Sequence, residues 1–226
     1  MSLILNIDTA IANASICLAR DGIALRLAEN MNRDEHASWL HVTIKKILSE
    51  QKLNLSDLKA VAVTIGPGSY TGLRVGLSAA KGFCYALDIP LLTIGTLEMM
   101  AYTAKDEPFD LLCPMIDARR QEVFTAVYDK KLNELMKPQA MILDANIFDQ
   151  FLARKILFFG TGSNKTQSII QHENAWFNNV TINASSMALL SENLFQTEKY
   201  ADLVYTEPLY LKDFHSVSAL PFIEKK

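Results

Sequence analysis

One stretch, Val61 to Leu87 (VAVTIGPGSYTGLRVGLSAAKGFCYAL), limits what this chain can become. A valine-rich apolar run stops at Gly66-Pro67-Gly68. The loop Ser69-Tyr70-Thr71-Gly72 leads into a long segment of small and apolar residues. The order reads as strand, glycine turn, helix. Backbone N–H groups at the start of such a helix are unpaired and, with the helix dipole, attract an anion. Gly72, Gly76 and Ala80 recur every fourth residue and would let another helix come close. The stretch therefore has two uses open to it, a phosphate loop and a packing surface. The helix, expected over 71–87, is apolar on two sides. Leu73, Leu77, Ala80, Cys84 and Leu87 share one, and Gly72, Val75, Gly76, Ala79 and Phe83 the other. A helix apolar nearly all round is covered on more than one side.

Around this stretch the pattern predicts three antiparallel strands at the start: Leu3–Ile7, Asn13–Ala19 and Ile23–Glu29, the last two joined by an Asp21-Gly22 turn. A helix over 34–51 follows, capped by Asp34, with Ala37, Leu40, Ile44, Ile47 and Leu48 in one stripe and Trp39 and Val42 off it. The strand 61–65, the helix 71–87, a strand 91–94 and a helix 96–105 complete a βββαβαβα order. Lys105–Asp110 is charged, contains proline, and divides the chain into residues 1–105 and 106–226. The second half partly echoes the first, with strands 111–116, 122–128 and 140–143, a helix 145–154, a strand 155–159 before Gly160-Thr161-Gly162-Ser163, and an amphipathic helix 185–196. Thr181-Ile182 reads as a weak strand, and the segment 207–212 is extended and is expected to return toward the first half.

Composition narrows the function. With 22 basic and 25 acidic residues the net charge is −3, which exerts no general pull on nucleic acid. No apolar run reaches the roughly 18 residues needed to span a bilayer, and the start reads as a strand rather than a signal peptide. Three scattered cysteines in apolar surroundings indicate buried thiols in a reducing compartment, hence the cytoplasm.

Several residues could carry chemistry. Asp8, Thr9 and Ser15 place a carboxylate and two hydroxyls on a hairpin, able to hold a phosphate through magnesium, or simply to bond the backbone of the turn. Gly66, Gly68, Ser69 and Thr71 fit neither a dinucleotide fingerprint nor a P-loop. His36 and His41 are five residues apart and face different ways on a helix, and His172 and His215 are isolated, so no metal site is expected. Asp117-Ala118-Arg119-Arg120 with Glu122 is a polar centre or a charged turn. No catalytic triad stands out.

Taken together, ILNIDT, GPGSYTGLRVG with the AKG after it, DARRQEVF and the closing PLYLK resemble the bacterial TsaB (YeaZ) family over residues 3 to about 212. The resemblance implies a two-lobed actin/hexokinase/Hsp70-like ATPase (ribonuclease H-like) fold, with mixed sheets flanked by helices. It also implies a partner subunit of the machinery that adds threonylcarbamoyl to adenosine 37 of ANN-decoding tRNAs, without catalytic activity alone. The catalytic relative, TsaD, holds a metal through an HxxxH pair. Thr96 and Met100 stand in its place here, and neither offers an imidazole. Expected partners are a TsaD-type catalytic subunit and a TsaE-type ATPase, with tRNA reached through the complex. A homodimer is expected when the chain is alone, and no cofactor beyond weak, vestigial ATP or ADP with magnesium. Pairing in the family uses the two first-lobe helices, which makes His36, Trp39, Leu40, Val42, Thr43, Gly72, Val75, Gly76, Ala79 and Phe83 the expected interface. Trp39→Ala is then expected to weaken pairing by about 2 kcal/mol. Two rivals remain, an ATP-dependent small-molecule kinase of the same superfamily and a metallopeptidase of glycoprotease type.

Overall fold

The computed structural model describes residues 1–11, 13–32 and 36–212, without the side chains of His36 and Ala37. The expected Asp34 cap and His215 lie outside the described residues, as does the side chain of His36.

The first half forms β1 (Leu3–Asp8), β2 (Ala14–Arg20), β3 (Ile23–Asn30), α1 (His36–Glu50), β4 (Ala60–Gly66), α2 (Tyr70–Leu87), β5 (Leu91–Gly95) and α3 (Thr96–Thr103). The predicted order is the observed one. The second half forms β6 (Leu111–Asp117), β7 (Glu122–Asp129), β8 (Glu134–Ile142), β9 (Ile156–Phe159), α4 (Ser163–Gln167), β10 (Ala175–Phe177) and α5 (Ala188–Gln196).

The two sheets share one topology. In the first the order is β3-β2-β1-β4-β5, and in the second, read in the same sense, β8-β7-β6-β9-β10. In each, three antiparallel strands are followed by two that add in parallel. A parallel addition needs a crossover. In the first half that crossover carries α1, and α2 then covers the same face. Leu40, Ile44, Ile47, Leu48, Leu77 and Ala80 meet Leu5, Ile7, Ile16, Leu18 and Val63 in one core. The opposite face of the first sheet is covered by α5 from the second half, through Ala188, Leu190, Leu194 and Phe195. In return α3 packs Leu97, Met100 and Ala101 against Leu112, Ala126, Leu157 and Phe159 of the second sheet. Each sheet thus borrows a helix from the other half.

Three sequence expectations are corrected. The helix over 145–154 is only a 3-10 turn at Asp149–Phe151, because Phe148, Phe151 and Leu152 fold inward under the second sheet rather than along a helical stripe. Thr181-Ile182 forms no strand, while β10, three residues long, went unforeseen. The strand expected near 140–143 begins at Glu134. Its half-exposed pattern and Pro138 suit a sheet edge and hide its length.

Candidate functional site

The glycine turn is built against the first hairpin. Ser69 caps α2, its Oγ accepting from the Gly72 N–H at 3.2 Å. The Ser69 N–H donates to the Ala10 carbonyl at 2.7 Å, and Thr9 Oγ1 donates to the Gly72 carbonyl at 2.7 Å. A Cβ on Gly68 would stand 2.3 Å from the Ala10 oxygen, one on Gly72 2.0 Å from the Thr9 carbonyl oxygen, and one on Gly76 2.3 Å from Thr9 Oγ1. The glycines therefore admit the β1–β2 loop, not the second helix that their spacing suggested.

The other phosphate candidates are equally engaged. Asp8 is fully buried. Its Oδ1 accepts from the Ala10 N–H at 3.0 Å and from Thr64 Oγ1 at 2.7 Å, while Oδ2 has no partner among the described residues. Ser15 Oγ accepts from the Ala184 N–H at 2.8 Å, tying β2 to the second half. Thr71 is exposed on the first turn of α2.

Burial of Asp8 pushes its carboxyl up from 3.8 to about 6, against the lowering effect of the Thr64 and Ala10 hydrogen bonds. The folded chain thus holds a proton where the unfolded chain has lost it. The stability that this proton brings is fully present below about pH 4 and is lost as pH rises through about 6. Asp8→Asn, which keeps the accepting oxygen, is expected to stabilise the fold at pH 7 by on the order of 1–2 kcal/mol. Urea melts at pH 7 and pH 4 check this: the gap should close at the lower pH, and an equal gap at both would contradict it.

At the start of α3, Thr96 and Met100 are both buried, Met100 facing the second sheet. Among the described residues no three His, Cys, Asp or Glu side chains converge as a metal-binding set. The second half repeats the turn without its long helix. Gly160 and Gly162 press on the backbone of β6, and α4 behind them has five residues. Arg119 and Arg120 form the left-handed turn between β6 and β7, at φ 65° and 51°. Lys165 braces it, its ammonium donating to Asp117 Oδ1 at 2.7 Å and to the carbonyls of Arg120 and Glu122. That ammonium and the Arg119 N–H hold the Asp117 carboxyl below its usual range. The charged turn is thus an internally tied structure.

The exposed feature of the first half lies between α1 and α2. His41, Val75, Ser78, Ala79, Gly82, Phe83, Ala86 and Leu55 line a depression of about 540 Å³. A second, of about 720 Å³, continues past Phe83 along Lys45, Ser49 and Lys52. The His41 and Phe83 rings meet at 5.5 Å across it. Val42, next to His41 in the sequence, is 70% exposed. Of the expected interface residues, Val75, Ala79 and Phe83 line this groove, while Val42 lines neither depression. Leu40 is a core residue with no exposed surface, and Thr43 is buried beside it. Gly72 and Gly76 face Thr9. Trp39 is half-buried against its own core, so Trp39→Ala would mix folding with pairing. His41, Ser78, Gly82 and Ala86 were missed. Their signal was the spacing of Val75, Gly82 and Ala86, which places them on one flank of α2.

The duplicated sheets and exchanged helices define a two-lobed α/β chain of the actin/hexokinase/Hsp70-like class. YeaZ from Pseudomonas aeruginosa has the same fold, with a TM-score of 0.81 at 23% identity over 93% of this chain and 100% of that one.

 The family model for TsaD, tRNA N6-adenosine threonylcarbamoyltransferase, matches residues 29–216. The tRNA threonylcarbamoyladenosine biosynthesis protein TsaB of Bacillus subtilis is 31% identical over 74% of this chain and 75% of its own length. The TsaB of Escherichia coli is 27% identical over 96% and 98%. The chain belongs to the TsaB (YeaZ) family.

Proposed function

We propose that this chain is a non-catalytic partner subunit in tRNA threonylcarbamoyladenosine formation, and that it works by docking the α1–α2 groove onto a TsaD-type catalytic subunit. The observation that carries the reading is the groove itself. Its floor and rim are small or apolar (Val75, Ala79, Gly82, Phe83, Ala86), and no element among the described residues fills it. The chemistry of such a surface supports an interface, since apolar area gains by leaving water and small residues let a partner helix approach. The family names support the pathway, because the relatives in Bacillus and Escherichia are called threonylcarbamoyladenosine biosynthesis proteins.

The buried and engaged state of Asp8, Thr9 and Ser15 favours a supporting role over phosphoryl transfer. On this reading the chain needs no cofactor of its own, and the glycine turn serves to aim α2. A TsaE-type ATPase joins the pair, tRNA is met through the assembly, and without its partner the same groove pairs two copies of the chain. Among the described residues no helix is long and apolar enough to cross a membrane.

The test is association. The purified chain mixed with the TsaD-type subunit of the same organism should sediment as a complex, and threonylcarbamoyl transfer by that subunit should depend on the chain. Separate sedimentation together with undiminished transfer by the catalytic subunit alone would overturn the reading.

A further inference from the structure

The stretches GPGSYTGLR, DARRQEVF and PLYLK lie far apart in the sequence, yet one short segment joins all three. After α5 the chain returns along the first sheet, where the Ala201 N–H donates to the Leu91 carbonyl of β5 at 2.8 Å. The Lys81 ammonium on α2 donates to the Val204 carbonyl at 3.0 Å. The Leu209 N–H then donates to the Ile65 carbonyl at 2.7 Å. The Leu209 oxygen lies over Gly66, 2.7 Å from where a Cβ would stand, and at φ +119° that position suits glycine alone. Tyr210 packs its ring 5.0 Å from that of Tyr70. The Arg74 guanidinium lies 3.9 Å over the Tyr70 ring, and its Nε donates to the Tyr210 hydroxyl at 2.9 Å. Two residues on, Lys212 pairs with Glu122 at the start of β7 and lies 5.9 Å from the Phe124 ring.

We propose that residues 207–212 are a strap that fastens the first lobe to the second across the glycine turn, and that it opens without either lobe unfolding. Its attachments are of the kind that release easily. Arg74 is exposed, Leu209 and Tyr210 are 39% and 40% exposed, and none of residues 207–212 belongs to a hydrophobic core. Surface ion pairs and cation–π contacts contribute little individually, and segments held by them open locally below the global unfolding free energy. When the strap is open, the Gly66 turn and the first turn of α2 are uncovered, and the clasp between Tyr70–Arg74 and Glu122–Phe124 is lost. The strap thus links the helix that borders the groove to the braced arginine turn of the second lobe.

Hydrogen exchange on the isolated full chain tests this independently of any partner. Arg74→Ala and Lys212→Glu should each lower protection of the Leu209 amide by about fivefold or more, while amides of β1, β4 and β6 keep theirs. Adding Glu122→Lys to Lys212→Glu should restore the protection. Unchanged Leu209 protection in both single variants would overturn the proposal. So would loss of Leu209 protection in step with the sheet amides, since the segment would then be an inseparable part of the fold.

Discussion

Gly82→Glu is expected to leave the chain folded and to abolish its pairing. Gly82 is exposed on α2, and a Cβ there would meet nothing within 4 Å. Any side chain at this position can leave the helix without moving a neighbour. Loss of a glycine from a helix interior itself stabilises by about 0.5–1 kcal/mol. The carboxylate would, however, stand in the groove between Val75, Phe83 and Ala86. A partner closing over it would have to bury an unpaired charge, which weakens association by about 3 kcal/mol or more, roughly a hundredfold. Thermal melting and sedimentation read the two effects apart: an unchanged or raised melting temperature with no complex. Undiminished pairing would move the interface elsewhere. Gly82→Ala serves as the control, expected to raise stability and keep pairing.

The second large effect lies on the same helix with the opposite sign. Gly72→Ala should destabilise the fold by about 3 kcal/mol or more. Its new methyl carbon would stand 2.0 Å from the Thr9 carbonyl oxygen, and the contact cannot easily relax. Thr9 is fixed to the Gly72 carbonyl and Ala10 to the Ser69 N–H, so either the β1–β2 loop or the start of α2 must shift as a unit. Helix propensity favours alanine here as it does at Gly82, so the sign of the measured change isolates the packing. Chemical denaturation of both alanine variants is the check. A Gly72→Ala chain as stable as the parent would mean that the loop does not depend on this close approach.

The two glycines show how far the sequence could be read. The strand–turn–helix order, the opening βββαβαβα and its partial echo were legible, because apolar periodicity and turn residues are local signals, while the two-lobed class came from the family resemblance. That Gly72 and Gly76 receive a loop rather than a helix was not, because a missing side chain does not name its neighbour. Leu40 illustrates the same limit at the groove. Its helical spacing set it in the core stripe while the family resemblance set it on the interface; it fills the core, and the exposed flank is formed by His41, Gly82 and Ala86. The return of 207–212 toward the first half was expected, but the contacts that make it a strap were not. Tyr70, Arg74, Glu122, Tyr210 and Lys212 are joined only by the folded chain's return path, and no spacing rule connects positions so far apart in the sequence. The helix expected over 145–154 failed for a related reason, since Phe148 and Phe151 answer to the sheet above them rather than to helical period.

Recovery of partners from a native lysate tests the central claim most directly. The tagged chain and its Gly82→Glu variant would be used as paired baits, with captured proteins identified by mass spectrometry. The account predicts that the TsaD-type subunit dominates the capture by the parent chain and is absent from that of the variant. A parent chain that retains no TsaD-type subunit, or a variant that retains it equally well, would contradict it.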